Sequence, residues 1–189
     1  MTLDKYIHCI KLLNSASTSG TDIKNEDDDE IKNWISVIDY LYDIDSKTIG
    51  LGLFNKYMEE TSADLNIETL ETNEMHSFFH NDEYYKVDTT IFTANVALFA
   101  DFNIKTKRYK GAEQLKQILS LLVYKENEPD DYSIERSQLN LQRLGDLDLK
   151  IAIGIVRFFF RLLENYILLS EISLETQQLM KEIQNLQTD

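Results

Sequence analysis

A 23-residue segment from Leu147 to Leu169 constrains the fold of this chain more than any other feature. Its polar residues recur at steps of four, three, four and three, so a helix would collect them into one narrow stripe. The rest of the helix surface would be apolar, which is typical of the central helix of a bundle, covered by other helices. The stripe consists of Lys150, Gly154, Arg157, Arg161 and Glu164.

The same segment is long enough to raise the question of a membrane span. Arg157 and Arg161 lie near its middle, where each costs about 2.5–3.5 kcal/mol of insertion free energy. We therefore predict that the chain has no membrane span.

The two arginines need a different explanation on a helix that is otherwise apolar. Buried guanidinium groups require carboxylate partners, so Arg157 and Arg161 are expected to form an internal ion-pair network. Glu164 or an acidic residue of the first half would supply the negative charge. The functional alternative is an anion pocket inside the bundle.

Composition and periodicity predict helix for most of the remaining chain. Six Gly and one Pro among 189 residues are few turn-forming residues for a protein with many tight turns. The firmest match to the 3.6-residue period runs from Ile31 to Tyr42. We predict an all-α fold, a compact single-domain bundle of about six to eight helices around a hydrophobic central helix at 147–170.

Four other segments carry more specific expectations. Residues 84–93 are rich in aromatic and β-branched residues, so a short strand competes with helix there. Residues 15–29 are predicted to be an acidic, partly disordered connector, although their acidic block can also start the next helix. Residues 103–111 are predicted to be a basic connector between two helical halves, and a weaker helix is predicted for 64–79.

The C-terminal segment is predicted to be a separate helix that Ser173 caps. Apolar residues follow one another at steps of seven, four and three, which is a coiled-coil-like seam of limited length. The segment would either pack back on the bundle or form a homodimer or partner contact through 172–186. The seam consists of Ile172, Leu179, Ile183 and Leu186.

The net charge of −14 is concentrated in the first half of the chain. Residues 1–104 carry 20 Asp and Glu against 7 Lys and Arg, whereas residues 105–189 carry 13 against 12. An acidic field repels nucleic-acid phosphates and attracts basic partners. The charge therefore argues against direct nucleic-acid binding.

These observations favour a non-catalytic protein that binds another macromolecule, such as an immunity or inhibitor protein, an adaptor or a subunit of a complex. An acidic surface with a nearby Trp would bind a basic protein by electrostatic complementarity. An acidic nucleic-acid mimic that inhibits a DNA- or RNA-binding enzyme is the alternative. The predicted contact residues are Asp27, Asp28, Asp29, Glu30 and Trp34, the last of which also fits an apolar core face.

His76 and His80 are the candidate residues for a third alternative, a metal-binding protein or an enzyme. Two histidines four residues apart lie on one face of a helix and can share a zinc ion with a carboxylate. The Glu that follows the first His in zinc proteases is absent here, and no phosphate loop or nucleophile elbow occurs. We therefore predict no cofactor, no metal and no catalytic residue.

The cysteine content and the N-terminus predict the compartment. Cys9 is the only cysteine, so no intramolecular disulfide can form. The first residues lack the basic region and long apolar stretch of a secretory signal. Both features favour the cytoplasm.

Overall fold

The computed structural model describes residues 1–15, 26–90, 96–128 and 132–186, with side chains described outside 26–29 and 169–186. Within these ranges the chain forms seven α-helices, one short 3-10 turn at Ser46–Thr48 and one three-stranded sheet. The helices are α1 (Leu3–Asn14), α2 (Glu26–Tyr42), α3 (Leu51–Leu65), α4 (Val96–Arg108), α5 (Gly111–Leu122), α6 (Ile134–Arg143) and α7 (Leu149–Leu186). The strands are β1 (Ser77–His80), β2 (Glu83–Val87) and β3 (Val123–Lys125).

The predicted helical fold is confirmed in outline, and the small three-stranded sheet is the departure from an all-α fold. All three strands are antiparallel in the order β1-β2-β3, with Phe78 opposite Tyr85 and Tyr85 opposite Lys125. Asn81 and Asp82 join β1 to β2 with φ of 48° and 60°. Two successive positive φ values belong to the hairpin turn whose twist matches that of its strands.

The hairpin also settles two of the segment predictions. The predicted strand at 84–93 is present as β2, which covers 83–87, whereas 91–93 lie outside the described residues. The helix predicted for 64–79 is wrong, because α3 ends at Leu65 and β1 occupies 77–80. Phe78 is buried and Phe79 is exposed, which is the alternation of a strand and not the spacing of a helix.

The most enclosed helix is α5, not α7. Every residue from Gln117 to Leu122 is buried, and α5 packs against α1, α4, α6 and α7. In α7 full burial extends only to Phe159, and the side chains from Glu164 to Leu168 are exposed. The prediction of a central, enclosed helix at 147–170 is therefore not confirmed.

Helix α7 is also longer than predicted. It continues without a break from Leu149 to Leu186, a length of 38 residues. The separate C-terminal helix capped by Ser173 is therefore wrong. No Gly or Pro occurs between 155 and 186, so nothing in the sequence forces the helix to end.

Both predicted connectors are shorter than expected. Helix α2 begins at Glu26, so the acidic block belongs to the helix, while 16–25 lie outside the described residues. Helix α4 includes 103–108, which leaves only two residues before α5. Three of the basic residues in the predicted connector occupy the last turn of α4, where positive charge is favourable to the helix dipole.

The irregular segment 66–76, which joins α3 to β1, packs against the middle of the polar stripe of α7. The Met75 N–H donates to the Gly154 carbonyl (3.1 Å), and the Thr72 hydroxyl donates to the Lys150 carbonyl (3.0 Å). A Cβ at Gly154 would lie 2.5 Å from the carbonyl oxygen of Asn73. Glycine at this position therefore lets the segment approach the helix backbone.

We expect Gly154→Ala to lower the free energy of unfolding by about 1–3 kcal/mol, because the new methyl group meets backbone and not a flexible side chain. Gly52→Ala is the matched control, since nothing lies within 4 Å of its Cβ position in α3. That control should gain about 0.5–1 kcal/mol from helix propensity. Urea denaturation followed by circular dichroism measures both, and an unchanged Gly154→Ala protein would show that the close approach is absent.

Candidate protein-binding surface

Helices α2 and α3 carry more than half of the net negative charge. Residues 26–65 contain 11 Asp and Glu against 3 Lys, a net charge of −8 out of −14. An excess of carboxylates in one region produces a negative potential that attracts basic partners over several ångströms. The exposed members are Glu30, Asp43, Asp45, Glu59, Glu60 and Asp64.

The same two helices carry the exposed Tyr42 and Leu53 and the half-buried Tyr57. The rings of Tyr42 in α2 and Tyr57 in α3 are stacked, with their centroids 4.2 Å apart. Leu53 is four residues before Tyr57, hence on the same face of α3, and is 43% exposed. Aromatic residues surrounded by polar groups are typical of the energetic centre of a protein interface. We call Leu53, Tyr42, Tyr57 and the exposed carboxylates around them the α2–α3 surface.

Helix α2 attaches this surface to the rest of the fold. Val37 and Ile38 are fully buried. The Asn33 amide donates to the Leu13 carbonyl of α1 (2.9 Å), and the Tyr40 ring lies 4.3 Å from the His8 ring. These contacts fix one side of α2 and leave the opposite side to solvent.

The turn between α2 and α3 uses some of the acidic side chains itself. Asp39 accepts a hydrogen bond from the Ser46 N–H (2.7 Å), and Asp45 accepts one from the Lys47 N–H (3.1 Å). Asp43 has a φ of 52°, a left-handed conformation that Asp tolerates better than most residues. In α3, Glu60 pairs with Lys56 (3.7 Å), so the exposed Glu59 and Asp64 are the better candidates for contacting a partner.

The residues predicted to bind a partner fall into three groups. Asp27, Asp28 and Asp29 lie at the start of α2, and their side chains are not among those that the structure describes. Glu30 is exposed, whereas Trp34 is half-buried and packs against the core. Sequence reasoning missed the stacked pair of Tyr42 and Tyr57, because their contact depends on how α3 folds against α2.

The two arginines of the predicted anion or ion-pair site on α7 contact backbone carbonyl oxygens and one carboxylate. The Arg157 guanidinium donates to the carbonyl oxygens of Leu70 (3.1 Å) and Ile67 (3.2 Å). Arg161 forms an ion pair with Glu74 (2.6 Å), a residue of the first half, while Glu164 is exposed. The arginines therefore hold segment 66–76 against the helix.

The two candidate metal ligands do not share a helix face, because β1 and not a helix contains this stretch. His80 Nε2 lies 3.0 Å from an Asp146 carboxylate oxygen and 3.1 Å from the Arg143 carbonyl oxygen. His76 instead faces the Phe158 ring, with the centroids 6.1 Å apart. Across the described ranges, no group of three or more His, Cys, Asp or Glu side chains could hold a metal ion.

A lysine and two serines form a buried triangle between α4, α5 and α6. Lys105 Nζ lies 2.8 Å from Ser137 Oγ and 3.1 Å from Ser120 Oγ, and the two hydroxyls are 3.1 Å apart. Burial lowers the pKa of Lys105, and such a lysine can act as the base for a serine nucleophile. Ser120 is fully buried and Ser137 is 3% exposed, so a substrate carbonyl could not reach either hydroxyl in this conformation. The triangle therefore satisfies polar groups inside the fold.

A buried ion pair connects α6 to the end of β2. Arg136 Nη2 donates to an Asp88 carboxylate oxygen (3.1 Å), and the two side chains are 6% and 2% exposed. The guanidinium also lies 5.7 Å from the ring centroids of Tyr124 and Tyr132. The other Asp88 oxygen accepts from the N–H and hydroxyl of Thr90 (3.0 and 2.6 Å). These contacts therefore fix the position of both the Arg136 guanidinium and the Asp88 carboxylate.

No family model, curated protein or solved structure matches this chain. Among the described helices, none combines the length and apolar character needed to cross a membrane.

Proposed function

We propose that this protein is a non-catalytic interaction protein that binds a basic protein partner through the α2–α3 surface. An immunity or inhibitor protein, an adaptor and a subunit of a complex all work in this way. The observation that carries the proposal is the coincidence of a net charge of −8 on residues 26–65 with the exposed Leu53 and Tyr42 and the half-buried Tyr57 that stacks on Tyr42.

The two components of the surface would act at different stages of binding. The carboxylates would steer a basic partner and raise the association rate, an effect that salt screens. The tyrosines and Leu53 would supply the short-range contact area, since rigid aromatic side chains lose little conformational entropy when they are buried. Steering would thus set the association rate, and packing would set the dissociation rate.

The proposed setting is a reducing compartment such as the cytoplasm. Cys9 is a free, buried thiol, and burial raises its pKa to about 11. A lone cysteine that forms no disulfide is typical of proteins in reducing compartments.

Capture from the native host tests the proposal. Immobilised protein should retain a partner with an excess of Lys and Arg, and Leu51→Ser with Leu53→Ser should abolish retention, since both residues are exposed in α3 (74% and 43%). The matched control is Ile134→Ser with Leu139→Ser on α6, which are exposed to a similar degree (59% and 45%). Equal loss in both variants would exclude a specific role for the α2–α3 surface.

Added duplex DNA separates this proposal from nucleic-acid mimicry. A mimic occupies the DNA-binding site of its target, so excess duplex DNA would displace it. An interaction protein that binds through Leu53 and the tyrosines should keep its partner at constant ionic strength. Displacement by DNA would overturn the proposal in favour of the mimic.

A further inference from the structure

Strand β1 lies at an edge of the sheet, and its outer side is open. The Val87 N–H of β2 donates to the His76 carbonyl (2.9 Å), and this bond sets the alternation of the antiparallel pair. Every second residue from His76 to His80 therefore bonds to β2, whereas Ser77 and Phe79 direct their N–H and C=O groups away from it. Within the described ranges, no hydrogen bond joins these outward groups to another residue.

The opposite edge of the sheet, formed by β3, is closed by the fold itself. The Asn140 amide of α6 donates to the Val123 carbonyl (2.7 Å), and the Glu128 N–H donates to the Lys125 carbonyl (3.0 Å). Exposed edges are commonly protected by Lys, Pro or a covering element. Strand β1 contains neither Lys nor Pro, and its Phe79 is 62% exposed. The sheet can therefore take an additional strand at β1 and not at β3.

The two faces of the sheet present different side chains beside the open edge. On the outer face, Phe79 lies opposite Tyr84, which is 39% exposed. On the other face, His80 Nε2 lies 3.0 Å from the Asp146 carboxylate, which is 63% exposed. A hydrogen bond from the Asn81 amide lowers the pKa of Asp146, so this carboxylate stays ionised in mildly acidic solution. One side of the edge is therefore aromatic and the other is negatively charged.

We propose that β1 accepts an extended basic segment of a partner protein as a fourth strand of the sheet. Successive side chains of a strand point to opposite faces, so a segment that alternates apolar and basic residues matches both sides of the edge. Its apolar residues pack against Phe79, and its Lys or Arg residues lie on the side of Asp146. The outward backbone groups of Ser77 and Phe79 form the main-chain hydrogen bonds. The inference does not rest on the α2–α3 surface.

Amide hydrogen exchange of the wild-type protein, followed residue by residue by NMR, tests where the segment binds. The probe is an acetylated and amidated Lys-Val-Lys-Val-Lys-Val-Lys peptide, and the control peptide has Glu in place of Lys. The lysine peptide should slow exchange at Ser77 and Phe79, because both N–H groups gain an acceptor, and should affect Phe78 less, because its N–H already bonds to β2. Unchanged exchange at Ser77 and Phe79, or equal slowing by the glutamate peptide, would overturn the inference.

Substitution of Phe79 tests the hydrogen bonds separately from the ring. Phe79→Pro removes the ring and an N–H that faces away from β2, so the bonds between β1 and β2 are kept. Phe79→Val removes the ring and keeps the N–H, which makes it the matched control. In fluorescence-anisotropy titrations of the labelled lysine peptide, Phe79→Pro should bind about three- to tenfold more weakly than Phe79→Val, the effect of one lost hydrogen bond. Equal affinities of the two variants would refute the added strand.

Discussion

Replacing Arg136 by Ala is expected to lower the free energy of unfolding by about 3–5 kcal/mol, because the change leaves Asp88 as a buried charge without its counter-ion. The carboxylate is 2% exposed and is held by Thr90, so it cannot turn towards water without breaking those bonds. The guanidinium also lies over the rings of Tyr124 and Tyr132, 5.7 Å from each centroid. Urea denaturation followed by circular dichroism measures the loss.

Arg143→Ala is the matched control for this prediction. Arg143 also lies in α6 and pairs with Glu128 at 2.9 Å, but its side chain is 28% exposed and that of its partner 30%. A half-exposed pair contributes about 0–1 kcal/mol, so this variant should remain close to the wild type. Equal losses in the two variants would mean that burial of the Asp88 pair does not govern its contribution.

Phe159→Ala is expected to lower the free energy of unfolding by about 3–5 kcal/mol, through lost burial and the cavity left behind. The ring is fully buried, and its centroid lies 5.3 Å from that of Phe102 in α4. It is the last fully buried side chain before α7 becomes exposed. The same denaturation assay measures the change.

The neighbouring residue provides the control. Phe160 has the same side chain on the next position of α7, but it is 41% exposed and touches Phe159 edge-on. Phe160→Ala should therefore cost no more than about 1 kcal/mol. If it cost as much as Phe159→Ala, the helix would be enclosed beyond residue 159, and the exposed part of α7 would be misassigned.

Periodicity predicted the helices well, because a long amphipathic helix carries its signal within its own residues. Helix α2 is an example, although only the middle of its predicted apolar face is covered: Ile38 is buried, whereas Ile31 and Tyr42 at the two ends are exposed. Strand β1 was missed because four residues show too little alternation to identify a strand. From the sequence alone, Phe78 and Phe79 resemble two core residues of a helix. Only the pairing of Phe78 with Tyr85 shows that they belong to a strand. The adjacent Asn81 and Asp82 were the available sequence signal for a hairpin, since these residue types tolerate the positive φ that such a turn requires.

The charge of the candidate site could be predicted from the sequence, whereas its side-chain contacts could not. The excess of carboxylates can be counted from the sequence, whereas the stacking of Tyr42 on Tyr57 depends on the packing of α3 against α2. The ion pair of Asp88 and Arg136 joins residues 48 positions apart, a separation that no local pattern encodes. The roles of Gly154 and Arg157 likewise depend on segment 66–76 crossing α7.

The association rate of the captured partner, measured over a range of salt concentrations, tests the central claim most directly. The Debye length falls from about 30 Å at 0.01 M to about 3 Å at 1 M ionic strength, so the rate should fall at least about tenfold. Glu59→Lys with Asp64→Lys should slow association at low salt, and lysine suits the C-terminal half of α3. Glu135→Lys with Glu164→Lys changes the net charge equally on α6 and α7 and should slow association less. A rate that is flat with salt, or equal slowing by both variants, would contradict binding of a basic partner at the α2–α3 surface.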